Sequence, residues 1–267
     1  AHADSLSQLD AQTRVPPGAD DGFSRAGGAS VRSPADYGRQ AHSLHLVRQA
    51  CKIQLMKSST LSIAKTLFSR HPALAPLTDT LSAAVEAFCA CHARHGLILA
   101  CGNGGSAADA AHITGELLKG FCHARPPAPA QLLSLERHLE DAALAAKLQQ
   151  GVRAINLCEA SAILTATAND LSPELIYAQQ VYALGRPGDI LIGISTGGNA
   201  ANVVRALQTA RAIGMATLGL TGAKHGRMDP FCDWLFKVPE TETFKIQELH
   251  LPLYHALCAM VESELFG

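Results

Sequence analysis

Five short apolar runs, each separated from the next by a stretch of helical periodicity, constrain the fold more than any other feature of this chain. They are Leu97–Ala100, Ala154–Leu157, Ile190–Ile194, Ala216–Leu220 and Trp234–Val238. A strand with one wet face alternates polar and apolar residues, whereas a strand buried on both faces reads as a continuous apolar run. The pattern therefore predicts an α/β fold, with a parallel sheet of about five strands covered by helices on both faces. Helical spacing runs from Leu44 to about Arg70, from Leu77 to about His95, from the first Gly-rich turn to about Gly120, and from about Thr243 to Leu265. Pro126-Pro127-Ala128-Pro129 followed by helical spacing over Leu132–Gln149 reads as an inserted helix between the first two strands, at about 126–150, near the mouth of the pocket.

Composition narrows the function. Lys plus Arg total 22 against 23 Asp plus Glu, a net charge of −1, which argues against nucleic acid or an anionic membrane as the main partner. No run approaches the ~18 apolar residues of a spanning helix, and Ala1–Asp10 has neither the basic nor the apolar region of a signal peptide. The eight cysteines form no CxxC pair, so a reducing, cytoplasmic setting is expected. Residues 1–34, rich in Ala, Gly, Ser, Asp and Pro, read as a flexible leader, and 35–267 as one domain.

Two loops carry the first chemical signal. Cys101-Gly102-Asn103-Gly104-Gly105-Ser106 and Gly193-Ile194-Ser195-Thr196-Gly197-Gly198-Asn199 each join a strand to a helix. Glycines let backbone approach a ligand closely, and a helix N-terminus offers free N–H groups to an anion. Neither is a dinucleotide or Walker loop. Two of them at the carboxyl ends of parallel strands point to a phosphorylated small molecule. The second signal is His112 and Glu116, four apart on the helix after the first loop, with Gln247 and His255 on the last helix. Such a set suits a borderline divalent metal or an acid/base pair, although taken singly each is as readily a surface pair or a core histidine.

Taken together, GNGGSAADAAH (102–112), Glu116, AND (168–170), GRPGDILIGIST (185–196), GMATLGLTG (214–222) and KIQELHLPLYHALCAMVE (245–262) resemble the SIS (sugar isomerase) domain family, and within it the phosphoheptose isomerases. The resemblance implies a flavodoxin-like sheet and a homotetramer with active sites at subunit interfaces. It implies interconversion of sedoheptulose 7-phosphate and a heptose 7-phosphate through an enediol. By that resemblance Glu116 is the base and His255 its acid/base partner. Asn103, Gly104, Gly105, Ser106, Asp170, Ser195, Thr196 and Gln247 bind substrate. His112, Glu116, Gln247 and His255 match zinc positions of some members, and a Glu116 held tightly by Zn²⁺ is not a free base, so both roles stay open.

Three departures from the family pattern stand out. Gly197 and Ala200 replace two serines of the family's STSGNS phosphate loop, Lys119-Gly120 replace a Gly-Arg pair, and the insertion is extra. Other readings of the same motifs are an isomerase of a different ketose phosphate and a non-catalytic SIS protein that binds sugar phosphate as regulator or adaptor. An SIS etherase has no use for the C-terminal QE-x-H-x4-H pattern.

Overall fold

The computed structural model of this chain describes residues 56–267. The proposed leader and the first part of the expected N-terminal helix lie outside those residues. All five apolar runs form strands: β1 (Ile98–Gly102), β2 (Ala154–Asn156), β3 (Ile190–Ile194), β4 (Ala216–Thr221) and β5 (Trp234–Lys237). Every pairing is parallel, in the order β2-β1-β3-β4-β5, with Ile98 opposite both Ala154 and Ile190. The connecting helices are α1 (Ser58–Arg70), α2 (Thr78–Ala93), α3 (Gly105–Leu118), α4 (Pro129–Leu139), α5 (Ala142–Ala145), α6 (Ser161–Asp170), α7 (Ala178–Leu184), α8 (Ala201–Ala212) and α9 (Thr243–Phe266).

The continuous apolar runs have the physical cause expected of them, since each strand buries both faces. Ile98, Ala100, Ile190, Ile192 and Ile194 share one core with α1, α2, α3 and α9. Leu99, Cys101 and Leu191 point the other way, into a core built with α7 and α8. Burying each large aliphatic or Phe side chain contributes about 1.5–3 kcal/mol, so two full faces are the main source of stability. Pro72–Ala93 is long and apolar enough to cross a bilayer by composition alone. In the fold it is a core segment, with Leu81, Ala84, Val85, Phe88 and Cys91 on its buried face.

The strand order places the functional edge. The chain leaves β1 for β2 on one side and returns to β3 on the other, so the crevice between the carboxyl ends of β1 and β3 is where open sheets of this kind take ligands. The insertion, in contrast, does not lie near that mouth. Helix α3 runs back antiparallel to β1, so the chain leaves it at the amino-terminal edge of the sheet. There Gln131 and Leu135 of α4 share a cavity of about 590 Å³ with His95, Gly96 and Arg153. The insertion is also two helices and not one. Glu140 adopts a left-handed φ of 53° and ends α4, and Asp141 caps α5 by accepting from the Leu144 N–H at 2.8 Å.

Candidate active site

Both Gly-rich loops lie at the carboxyl edge, and side chains tie them together. Asn103, after β1, and Asn202, in the first turn of α8, exchange amide hydrogen bonds in both directions at 2.9 Å. The Tyr177 hydroxyl donates to the Gly102 carbonyl at 2.6 Å and lies 3.1 Å from Asn103 Oδ1, fixing the first loop from behind. Gly104 has φ 56°, a left-handed conformation that costs a residue with a Cβ more than it costs glycine. Gly198 is likewise at φ 68°, with the Gly226 backbone so close that any Cβ would collide with it.

The second loop is pinned at its ends and open in its middle. Gly198 N–H donates to the Ser195 carbonyl at 2.9 Å, Ala200 N–H to Ser195 Oγ at 3.4 Å, and Gly222 N–H to the Thr196 carbonyl at 2.9 Å. Among the described residues, the N–H groups of Thr196, Gly197 and Asn199 and the hydroxyls of Thr196 and Ser106 find no protein partner. Free donors ahead of two helix N-termini suit a phosphate. Asp170 ends α6 as an exposed side chain beside Asn169, at 2.7 Å. Among the described residues, Lys119 donates to the Gly120 carbonyl.

The second group of residues forms on the helix pair α3 and α9. His112 Nε2 lies 3.1 Å from Glu116 Oε1 and 3.3 Å from His255 Nε2, so the imidazole of His112 joins the carboxylate to the second histidine. Glu116 is mostly covered, at 16% side-chain exposure. His255 stacks edge-on against His112 and Tyr254 and beside Phe121. Burial and the neighbouring His112 lower its pKa, Glu116 opposing, so the ring is neutral near pH 7. His255 also walls a groove of about 760 Å³ between α1, α9 and Phe121–His123.

Gln247 does not join this group. Its amide covers Gly105, where a Cβ would meet it, two helical turns from His255. Among the described residues no three His, Cys, Asp or Glu side chains already converge as a metal-binding group. Two imidazole nitrogens and a carboxylate oxygen, with His112 Nε2 3.1 Å from Glu116 and 3.3 Å from His255, are donors of the kinds that zinc takes.

Sequence reasoning missed four residues of this neighbourhood. Asp109 and Tyr254 hold the far side of His112, and burial raises the Asp109 pKa against the opposing Tyr254 hydrogen bond. Arg125 and Glu262 form a fully buried ion pair, Nε to Oε1 at 2.7 Å, next to the end of α3. The sequence signal for the first pair was only its spacing, an Asp three before His112 and a Tyr beside His255. Nothing local pointed to the second.

Comparison with known proteins places the chain in a family. The SIS domain family matches residues 69–156 and 149–222. The phosphoheptose isomerase of Maridesulfovibrio salexigens is 41% identical over 169 residues, 63% of this chain and 71% of that protein. That of Burkholderia pseudomallei is 40% identical over 191 residues, 72% of this chain and 85% of its own. Among solved structures, phosphoheptose isomerase GmhA from Neisseria gonorrhoeae superposes with a TM-score of 0.59 at 30% identity, covering 86% of this chain and 99% of that one. With a family model matching more than half of the chain and relatives about 40% identical over most of their own length, the chain belongs to the SIS domain family, alongside the phosphoheptose isomerases.

Proposed function

We propose that this chain is an aldose–ketose isomerase that interconverts sedoheptulose 7-phosphate and a heptose 7-phosphate through an enediol. The observation that carries the reading is the meeting of Glu116 and His255 at His112, in a chain that also holds two donor-rich loops on the ligand edge of the sheet. The free N–H groups of the second loop, with Ser106, Ser195 and Thr196, anchor the phosphate. Glu116 takes a proton from the carbon beside the carbonyl and returns it to the neighbouring carbon. A neutral His255 is matched to moving a proton between the two enediol oxygens, since it can accept and donate near pH 7. A Glu116 that instead joined His112 and His255 in holding zinc would not be the free base, so the two roles are alternatives; the zinc would supply Lewis-acid stabilisation of the enediolate oxygens.

Glu116 lies ten residues beyond Ser106, about 15 Å of rise along α3, so the base stands well away from the phosphate loops. We therefore infer a homo-oligomer, a tetramer by family resemblance, in which a second copy completes each site. A cytoplasmic setting fits the seven described cysteines, all free thiols. The test is incubation with sedoheptulose 7-phosphate in D₂O followed by NMR. Deuterium at C1, or product carrying it at C2, is expected, and Glu116→Gln abolishes it. Absence of exchange with and without Zn²⁺ overturns the heptose reading.

A further inference from the structure

The two Gly-rich loops are joined by a residue that belongs to neither. Asn202, in the first turn of α8, pairs with Asn103 amide to amide, each Nδ2 donating to the other's Oδ1 at 2.9 Å. Asn202 Oδ1 also accepts from the Val203 N–H at 3.0 Å, which ties its amide to the start of the helix. Two hydrogen bonds between planar groups fix the plane of both, where a single bond leaves rotation free. Asn103 has little else to hold it. Its side chain is exposed, and the two residues that follow are glycines with no side chain to pack against it. The Tyr177 hydroxyl divides its one proton between the Gly102 carbonyl at 2.6 Å and Asn103 Oδ1 at 3.1 Å, the shorter bond going to backbone.

A primary amide carries two N–H groups, and the reciprocal pair uses one from each partner. The second N–H of Asn103 Nδ2 finds no partner among the described residues and is free to donate to a ligand. We propose that Asn202 is a positioning residue for ligand binding. Through the paired amides it holds Asn103 in place, so that the sugar end of a phosphorylated ligand meets a fixed donor while its phosphate rests on the free N–H groups of Thr196, Gly197 and Asn199. Asn202 stands three residues after Asn199, so the same short segment carries the phosphate donors and the anchor of Asn103. The two ends of the binding surface are thereby set at one spacing. An exposed side chain left unheld is ordered only when the ligand arrives, and that ordering is subtracted from the affinity; an amide locked beforehand has less freedom to lose.

The inference rests on the sugar-phosphate part of the proposed function, and its test reads binding, which needs no turnover. In the full-length chain carrying Glu116→Gln, calorimetry measures the affinity for inorganic phosphate and for sedoheptulose 7-phosphate. Asn202→Ala, Asn103→Ala and the double variant are compared in that background. Asn202→Ala is expected to weaken sedoheptulose 7-phosphate roughly tenfold and to leave inorganic phosphate within about twofold. The double variant is expected to bind the sugar phosphate no more weakly than Asn103→Ala alone, because a residue that acts only through Asn103 has nothing left to contribute once Asn103 is gone. Equal weakening of both ligands by Asn202→Ala would make the residue a support for the start of α8 and overturn the proposal. Losses that add in the double variant would mean that Asn202 acts without Asn103, and overturn it as well. If the parent chain binds sedoheptulose 7-phosphate no better than inorganic phosphate, Asn103 has no sugar to meet, and the proposal falls together with the heptose reading. Tight binding with the expected pattern, in a protein whose unsubstituted form shows no isomerase activity, upholds the role of Asn202 and removes the isomerase reading instead.

Discussion

His250 faces inward from α9 with its ring fully buried, its Nε2 3.4 Å from the Thr221 carbonyl and its Nδ1 without a partner. Burial pushes its pKa from 6.5 down to about 4, the weak Thr221 contact opposing. Between those two values the unfolded chain binds a proton that the folded chain does not, so stability is full above pH 6.5 and falls as pH drops toward 4. The loss amounts to about 3 kcal/mol at most. Urea midpoints at pH 7.5, 5.5 and 4.5 are expected to fall steeply for the wild type and less so for His250→Gln; parallel curves would show that other groups drive acid unfolding. The QE-x-H pattern that marked this region belongs half to function and half to the core, and one-letter spacing does not separate the two. Only burial distinguishes His250 from His255. Gly197 makes the reverse case: the departure is visible in sequence, but its consequence needs the structure. Its φ is ordinary and a Cβ there meets nothing within 4 Å. Gly197→Ser is therefore expected to fit and to add a hydroxyl to the phosphate loop. A hydrogen bond to a charged group contributes about 1.5–3 kcal/mol, so KM is expected to drop roughly tenfold. A KM that stays constant or rises would place the phosphate elsewhere.

The last turn of α3 is held to the end of α9 by a clamp that no periodicity announces. Glu262 accepts from the N–H groups of Phe121, Cys122 and His123 at 2.8, 2.6 and 3.1 Å and from Arg125 Nε at 2.7 Å. Those bonds hold its carboxyl below the usual range despite burial. Arg125 in turn donates to the Leu117 and Glu116 carbonyls at 2.9 and 3.1 Å, capping the helix that carries the base. Breaking a buried pair by removing one partner leaves an uncompensated charge and costs about 3–5 kcal/mol. Arg125→Met is expected to lower the thermal midpoint by roughly 10 °C in a chain of this size, measured by calorimetry. A change of a degree or two would show that the backbone donors alone satisfy Glu262. The strands and long helices were legible because their periodicity is local, whereas this clamp joins residues 137 apart in sequence. The insertion was misplaced for a related reason. Its helical spacing was visible, but its position depends on α3 returning the chain to the amino-terminal edge of the sheet.

The two halves of the candidate site sit on different parts of one molecule. Loops legible from their glycines share the carboxyl edge, joined by Asn103 and Asn202. Glu116 and His255 were legible as residues, but their distance from the loops was not, because it is set by how far α3 runs before its last turn. If a loop from one copy serves the Glu116 of another, two different defects repair each other in mixed assemblies. Glu116→Gln keeps its loops intact, and Ser195→Asp places a negative charge in the phosphate loop while keeping Glu116. Each variant alone is expected to be inactive. Unfolding and refolding them together at equal amounts gives random assemblies, in which about a quarter of the shared sites receive both intact parts in a closed symmetric oligomer. Isomerase activity near that fraction of wild type is the expected result, assayed beside each variant refolded alone. A mixture as inactive as its components means that one chain supplies the loop and the base together. In that case the separation along α3 must be bridged within a single copy, by a change in how the first loop meets the helix on binding.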